Sequence, residues 1–249
     1  MEELAGLTIM AVAVALGTAG LVKGLAGIGL PLVAIPGMAL SIDLALAVAL
    51  IPVSLVITNV WQIVSNRHIG AALRRFWPML LVAPIGAVIG VKFLAEADPQ
   101  VLSAIVGAAI VVSALLMQFR THWRVPEQLE RFVGLAAGLA AGLLGGVTAI
   151  FSPPLVLFLA SIRIEKEVFV GAVGMLLLSG VAPMVVALAS FGVLNAEGFM
   201  WSALAAAPVL AGQLLGQRLR RLIPEKPFRL MILILLLASG LNLIRRAIF

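Results

Sequence analysis

The sequence predicts an all-α integral membrane protein with two inverted repeats, each a Gly/Pro-broken re-entrant hairpin plus about three transmembrane helices. Three observations predict this fold. The chain of 249 residues is 63% hydrophobic and only 11% charged, whereas soluble domains average about 25% charged residues. A stretch rich in glycine and proline occurs twice. The basic residues fall in short loops between apolar runs, which is the usual orientation signal of membrane proteins.

Six uninterrupted apolar runs are each long enough to cross a bilayer once, since a membrane helix needs roughly 20 such residues. They are residues 43–64, 76–95, 100–118, 168–190, 198–217 and 228–244. Two further runs, 4–40 and 132–160, are interrupted by glycine and proline. The second is too short for two crossings of roughly 20 residues each. It therefore either crosses once or enters the membrane and returns.

The two interrupted runs carry a repeated motif. "GLVKGLAGIGLPLVAIP" (20–36) is echoed by "GLAAGLLGGVTAIFSPP" (138–154). At an offset of 118, the matched pairs are Gly20 with Gly138, Gly24 with Gly142, Gly27 with Gly145 and Pro36 with Pro154. Farther on, "GAVIGVK" (86–92) resembles "GQLLGQR" (212–218). We predict a first membrane repeat over 1–121, a cytoplasmic linker over 122–130 and a second membrane repeat over 131–249, forming one transport domain.

Charge decides whether run 132–160 crosses or returns. If it returns, most of the 17 basic residues fall on one face, and if it crosses, they are split between both faces. The residues on that one face are Arg67, Arg74, Arg75, Arg120, Arg124, Arg131, Arg163, Lys166, Arg218, Arg220, Arg221 and Lys226. Lysine and arginine favour the cytoplasmic side, so the returning topology is preferred. It inverts the repeats and places both termini outside the cytoplasmic (inner) membrane.

The broken hairpins are the candidate binding site. Irregular backbone is tolerated at membrane depth only where protein or a water-filled cavity surrounds it. A helix that restarts there presents free N–H groups and the positive end of its dipole, which favour an anion. Thr148 and Ser152 add hydroxyl donors, and Lys23 either adds positive charge or snorkels to the interface. The candidate substrate-binding residues are Lys23, Gly27, Gly29, Pro36, Asn59, Gln62, Gly145, Gly146, Thr148, Ser152, Pro153, Ser179 and Gln213.

Several of these residues keep a second interpretation. Asn59, Gln62, Ser179 and Gln213 either line the substrate path or hydrogen-bond a neighbouring helix. Glycines four residues apart let helix backbones approach closely. We expect this packing role for the pairs Gly20/Gly24, Gly86/Gly90, Gly138/Gly142 and Gly212/Gly216. Packing explains the prolines of the two motifs less well.

The residue types that the sequence lacks argue against several other functions. The chain has no cysteine, and its two histidines, His68 and His122, lie in basic loops. No cluster of metal ligands and no serine with a base partner is visible, so we expect no metal, no cofactor and no enzyme activity. No carboxylate lies deep in a predicted span, which argues against a proton relay or an acidic cation filter. The expected partners are a small anionic substrate and the lipid bilayer, with no nucleic acid, and a homo-oligomer stays open.

The chain resembles the sulfite exporter TauE/SafE family of membrane permeases. The resemblance is carried by the two hairpin motifs and by "PIGAVIG" and "APVLAGQLLG", and it covers essentially the whole chain. Leu30 and Pro31 depart from the family's usual glycine run. The resemblance implies transport of small sulfur-containing anions such as sulfite or organosulfonates, and we expect export by alternating access. The alternatives are a passive anion channel and a membrane scaffold or assembly factor without transport.

Overall fold

The computed structural model describes residues 2–26, 29–64, 69–118, 124–162, 164, 166–219, 241 and 245. Within these residues all regular structure is α-helical. The helices are α1 (Glu2–Ala26), α2 (Leu30–Met38), α3 (Leu44–Ala49), α4 (Ile51–Val64), α5 (Ile69–Glu96), α6 (Pro99–Gln118), α7 (Glu127–Thr148), α8 (Ser152–Ser161), α9 (Lys166–Ser190) and α10 (Ala196–Leu219). Outside the described residues lie Gly27, Arg67, Arg120, Arg163, the basic residues Arg220, Arg221 and Lys226 and, apart from Leu241, the predicted span 228–244.

Six segments of the described chain are long and apolar enough to cross a membrane. They are Gly6–Leu25, Leu46–Val64, Ile69–Glu96, Glu127–Thr148, Gly171–Ser190 and Ala196–Leu219. The prediction of an all-α, multi-pass membrane protein is therefore confirmed at this level. α8, with 10 residues, is about 15 Å long at 1.5 Å per residue, which is half the thickness of the hydrocarbon core.

The predicted span 43–64 is interrupted near its middle. α3 ends at Ala49, and α4 begins at Ile51 with Pro52 as its second residue. The Ser202 hydroxyl of α10 donates a 2.6 Å hydrogen bond to the Leu50 carbonyl oxygen, and the Ser54 hydroxyl donates one of 3.3 Å to the Ser202 carbonyl oxygen. Both serines are fully buried. Serine hydroxyls can thus satisfy backbone groups that a proline-containing break leaves open.

The helices separate into two compact units that do not follow the two predicted repeats. The first unit contains α1, α2, α3, the start of α4 through Ser54, α6 and α10. The second contains α4 from Leu55, together with α5, α7, α8 and α9. Each unit therefore combines helices from both predicted repeats, because α10 joins the first unit and α5 joins the second. The predicted repeat boundaries stay a prediction.

In the first unit, α1 and α10 pack through glycines. A methyl group added at any of four glycines would overlap a backbone carbonyl oxygen of the facing helix. The pairs are Gly20 with Val209, Gly24 with Gln213, Gly212 with Gly17 and Gly216 with Leu21. Later positions on α1 meet later positions on α10, so the two helices run parallel. Backbones approach this closely only where both helices lack side chains.

In the second unit, α5 and α7 repeat this arrangement. A methyl group at Gly142 would overlap the carbonyl oxygen of Ala83, and one at Gly86 would lie 2.5 Å from that of Leu139. Gly146 with Ala87 and Gly90 with Leu143 are the equivalent pairs one turn later. Gly138 also contacts α5, at Met79 and Val82. The packing role predicted for the four glycine pairs is thereby confirmed.

The contacts of the two glycine-packed helix pairs correspond to each other at a different offset from that of the sequence motif. Gly212 contacts Gly17 in the first unit, and its counterpart Gly86 contacts Leu139 in the second unit. Likewise, Gly216 contacts Leu21, and its counterpart Gly90 contacts Leu143. These equivalences relate α1 to α7 by an offset of 122 residues, one helical turn more than the 118 read from the glycines of the sequence. At this offset Leu30 and Pro31, which open α2, correspond to Ser152 and Pro153, which open α8.

Both interrupted runs fold back on themselves. In the first, Gly37 of α2 lies against Ala15 of α1, where an added methyl group would be 2.9 Å from the alanine Cβ. In the second, a methyl group at Gly134 of α7 would lie 3.1 Å from the Phe158 ring of α8. The segment 132–160 is therefore not one continuous rod. Its helices form a helix–turn–helix hairpin that closes where they break.

Candidate functional site

The turn between α7 and α8, residues 149–151, is closed by its own hydrogen bonds. Ala149 ends α7 with φ 58° and ψ 8°, in the left-handed region that non-glycine residues rarely adopt. Its N–H donates a 2.6 Å hydrogen bond to the Gly145 carbonyl oxygen. The Thr148 hydroxyl accepts from the Ile150 N–H at 3.1 Å and donates to the Leu144 carbonyl oxygen at 2.6 Å. The proton of the Thr148 hydroxyl is thus used within the helix in this structure, and its role as a donor to a ligand stays a prediction.

The start of α8 offers fewer backbone donors than an ordinary helix. The first four N–H groups of a helix have no partner within it. Here those positions are Phe151, Ser152, Pro153 and Pro154, and the two prolines have no N–H. Phe151 and Ser152 supply the two that remain. The Ser152 side chain is 8% exposed, and its hydroxyl makes no hydrogen bond within the described part of the chain.

The start of α2 also carries a proline in its first turn, but its backbone conformation differs from that of α8. Gly29 precedes the helix with φ 99°, a value that glycine adopts readily because it lacks a Cβ atom. Pro31 is the second helical residue, so Gly29, Leu30 and Leu32 supply three N–H groups. Pro36, expected at the break, instead lies buried inside α2. The interruption lies between Ala26 and Leu30, inside the motif 20–36 and before Pro36.

Lys23 lies in the last turn of α1, shortly before this break. Its side chain is 3% exposed. Among the residues whose side chains the structure describes, it is the only buried one with an ionisable group. This buried lysine lies six residues before Gly29 along the chain.

The ring of Phe151 occupies a slot in the second unit. Phe151 is 2% exposed and is among the largest fully buried side chains of the described residues. A methyl group at Gly145 of α7 would overlap three atoms of its ring. A methyl group at Gly180 of α9 would lie 2.5 Å from one ring carbon and 2.8 Å from another. The residue that precedes α8 is thus held by both neighbouring helices.

The other candidate residues lie inside helices. Gly146 packs against α5 at the level of Ala87. Asn59 is fully buried in α4. The Gln62 side chain lies 3.6 Å from the position of an added methyl group at Gly174 of α9.

Ser179 and Gln213 also lie inside helices. The Ser179 hydroxyl donates a 2.9 Å hydrogen bond to the Leu176 carbonyl oxygen. Gln213 is 3% exposed in α10, and its Oε1 atom has no hydrogen-bond partner within the described residues. In the part of the chain that the structure describes, no group of three or more His, Asp or Glu residues is placed to hold a metal ion.

Sequence reasoning missed four residues that shape the two turns. Pro31 could have predicted the start of α2, because proline is favoured in the first turn of a helix. The alignment of the glycines instead paired Pro36 with Pro154 and so drew the prediction to Pro36. Ala149 and Phe151 carry no signal, since neither residue type is typical of its position. Gly180 appeared as an isolated glycine in an apolar run, and only its contact with Phe151 gives it meaning.

Comparison with known proteins identifies the family. No curated protein and no solved structure matches the chain. The model of a family described as "Sulfite exporter TauE/SafE" matches residues 11–243, which is nearly the whole sequence. This match agrees with the six apolar segments and supports a role in membrane transport. The chain belongs to the sulfite exporter TauE/SafE family of membrane permeases.

Proposed function

We propose that the protein is a secondary transporter that exports a small sulfur-containing oxyanion, such as sulfite or an organosulfonate, across the cytoplasmic membrane by alternating access. The observation that carries the proposal is the buried lysine at a broken helix. Among the residues whose side chains the structure describes, Lys23 is the only buried one with an ionisable group, and its protonated form is positive. In a low-dielectric interior a positive charge attracts an anion more strongly than it does in water. A small anionic substrate bound beside Lys23 is therefore stabilised.

The two turns supply hydrogen-bond donors of the kind that an oxyanion requires. At the start of α8 they are the Ser152 hydroxyl and the N–H groups of Phe151 and Ser152, and at the start of α2 they are three backbone N–H groups. Because the prolines have no N–H, each turn offers only two or three backbone donors. Such a turn fits two oxygen atoms of one sulfite or sulfonate group better than it fits a large polyanion. Each helix start also adds the positive end of its dipole.

The proposed topology is that both hairpins are re-entrant. The fold-back of α8 on α7 supports it, as does the short length of α8. With the basic loops in the cytoplasm, α1 and α10 then run inward while α5 and α7 run outward. This agrees with the parallel packing within each glycine-packed pair. In this topology the two repeats are inverted and both termini lie outside.

The direction of transport follows from the membrane potential. An inside-negative potential favours the exit of anions by about 2.3 kcal/mol per charge per 100 mV. Export of an anion is then downhill without a coupling ion. Among the residues whose side chains the structure describes, no acidic side chain is buried.

The experiment is flux of labelled sulfite or a labelled sulfonate in proteoliposomes, with and without an imposed potential. We expect saturable flux that increases when the potential drives anions out of the lumen. Lys23→Met should abolish most of it, whereas Lys92→Met, at an exposed position of α5, should leave it unchanged. Flux that does not saturate and shows no counter-transport would indicate a passive channel. No flux of any anion at either polarity would refute the transporter.

A further inference from the structure

We propose that Phe151 is a positioning residue of the second turn: its ring, seated between Gly145 and Gly180, holds the Ser152 hydroxyl and the adjacent N–H groups in the orientation that binds the anion. This inference rests on the proposed function and assigns a role that the candidate site did not contain. Phe151 does not contact the substrate through its ring. It acts through the backbone on either side of it.

The steric evidence is a slot built by two missing side chains. Gly145 is on α7 and Gly180 is on α9. A Cβ atom at either position would collide with carbon atoms of the Phe151 ring, at 2.5 Å and 2.8 Å in the case of Gly180. Such distances are far below the optimal carbon–carbon separation of about 3.5–4.0 Å. The ring can therefore occupy this place only because two separate helices carry glycine there.

The neighbouring backbone shows why the ring matters for the donors. Phe151 immediately precedes α8, so its N–H and that of Ser152 are the two donors that the prolines leave. On the other side, Ala149 holds a left-handed conformation, with its N–H bonded to Gly145. Ala149 thus tethers the turn to the same glycine that faces the ring. The side chain of Phe151 is fixed while the polar atoms beside it are left for a ligand.

A space-filling role alone would predict something different. If the ring only fills a gap between α7 and α9, removing part of it lowers stability and leaves the affinity for the anion unchanged. A positioning role predicts that the half-saturation concentration rises while the maximal rate per folded molecule changes little. A misplacement of about 1 Å in a binding group is enough to cost a large factor in activity.

The test is a double-mutant cycle in proteoliposomes with sulfite as the probe. Phe151→Leu and Gly180→Ala should each raise the half-saturation concentration by about tenfold, the effect of losing roughly one hydrogen bond to a charged ligand. In the Phe151→Leu background, Gly180→Ala should have little further effect, because leucine can rotate away from the new methyl group. Gly70→Ala is the matched control, since nothing lies within 4 Å of a methyl group there.

A second measurement does not depend on transport. The chain has no cysteine, so Ser152→Cys introduces a single thiol beside Phe151. We expect the rate of its reaction with a small neutral thiol reagent to change at least about fivefold when Phe151→Leu or Gly180→Ala is added. It should not change with Gly70→Ala. Thermal unfolding in detergent identifies variants that fail to fold, and the leucine variant is chosen because it retains most of the apolar volume.

The outcomes separate the two proposals. Additive effects, or a loss of stability with unchanged half-saturation and unchanged thiol reactivity, would overturn the positioning role. If the wild-type protein transports no anion but the thiol reactivity depends on Phe151 and Gly180, the turn is held as described and the proposed function fails. If transport is present and the thiol reactivity is insensitive to both variants, the proposed function stands and Phe151 is only a core residue.

Discussion

The backbone N–H of Val125 donates a 3.2 Å hydrogen bond to the carbonyl oxygen of Ser161. Val125 lies two residues before α7, and Ser161 is the last residue of α8. The hairpin therefore ends beside its own beginning. A segment that crossed the membrane would place these two residues on opposite sides, about 30 Å apart.

This relationship predicts the sidedness of the flanking residues. Single cysteines introduced by Arg124→Cys and Ile164→Cys should react with a membrane-impermeant thiol reagent from the same side, the cytoplasmic one. Asp98→Cys, in the α5–α6 connection, should react only from the opposite side. The chain has no native cysteine, so each variant reports one position. Labelling of residues 124 and 164 from different sides would disprove the re-entrant hairpin.

The parallel glycine contacts predict a stability penalty without a change in charge or polarity. A methyl group at Gly142 would overlap the Ala83 carbonyl oxygen, so the backbones of α5 and α7 must move apart. Overpacking of this kind typically costs about 1–3 kcal/mol. Gly142→Ala should therefore lower the midpoint of thermal unfolding in detergent. Gly70→Ala, with open space around it, should leave the midpoint unchanged or raise it, because alanine favours helices more than glycine does.

The ion pair between Arg75, near the start of α5, and Glu130 of α7 is expected to contribute less to the free energy of unfolding than one glycine contact does. The Nε atom of Arg75 donates a 2.7 Å hydrogen bond to Oε1 of Glu130, and a terminal nitrogen of Arg75 donates another of 2.7 Å to Oε2. The Arg75 side chain is 38% exposed, and exposed pairs are worth at most about 1 kcal/mol. Glu130→Gln should shift the unfolding midpoint less than Gly142→Ala does. A larger shift would mean that the pair is shielded from water.

Ser202 is expected to stabilise the interrupted span. Ser202→Ala removes the hydrogen bond to the Leu50 carbonyl oxygen, and an unsatisfied buried acceptor costs about 1–3 kcal/mol. The matched control is Ser190→Ala, because the Ser190 hydroxyl donates a 2.8 Å hydrogen bond to Val186 at an exposed position of α9. Thermal unfolding should separate the two variants. Equal midpoints would show that the Leu50 carbonyl finds another donor.

The two hydroxyls of the second turn should have opposite effects. Thr148→Val removes the hydroxyl that serves Ile150 and Leu144, so it should lower stability and barely alter the half-saturation concentration. Ser152→Ala removes a hydroxyl that makes no described hydrogen bond, so it should leave stability nearly unchanged and weaken sulfite binding about tenfold. Flux and thermal unfolding measured on the same preparations decide this. The reverse pattern would assign the ligand to Thr148.

The sequence was most informative where one physical requirement dominates. Long apolar runs favour spanning helices, so α9 and α10 begin and end within two residues of the predicted limits 168–190 and 198–217. α5 ends one residue beyond its predicted limit but begins seven residues before it. Glycines four residues apart, as in Gly86 and Gly90, must face another backbone closely, and they do. The grouping of helices into units was not predictable in this way. A glycine pair indicates that a partner exists but does not identify it among several similar helices.

The turns show a different limit. The sequence located both breaks because glycine and proline disfavour a continuous helix. It could not decide whether the first break ends at Gly29 or extends to Pro36, since proline is also compatible with a helix interior of membrane proteins, where neighbouring groups satisfy the backbone. Nor could it show that the Thr148 hydroxyl accepts a hydrogen bond from the Ile150 N–H. That hydrogen bond accompanies the left-handed conformation of Ala149, which lies between the two residues.

The pairing of α1 with α10 also sets an order of assembly. α1 leaves the ribosome long before α10, so the glycines that face α10 stay uncovered until the chain from Ala26 to Ala196 has been synthesised. At about 5–20 residues per second this takes roughly 10–30 seconds. During that interval the exposed groove of α1 must be occupied by lipid or by an insertion factor. If the protein is produced as two fragments, one with α1 and the other with α10, each fragment should therefore fold completely only when the other is also produced.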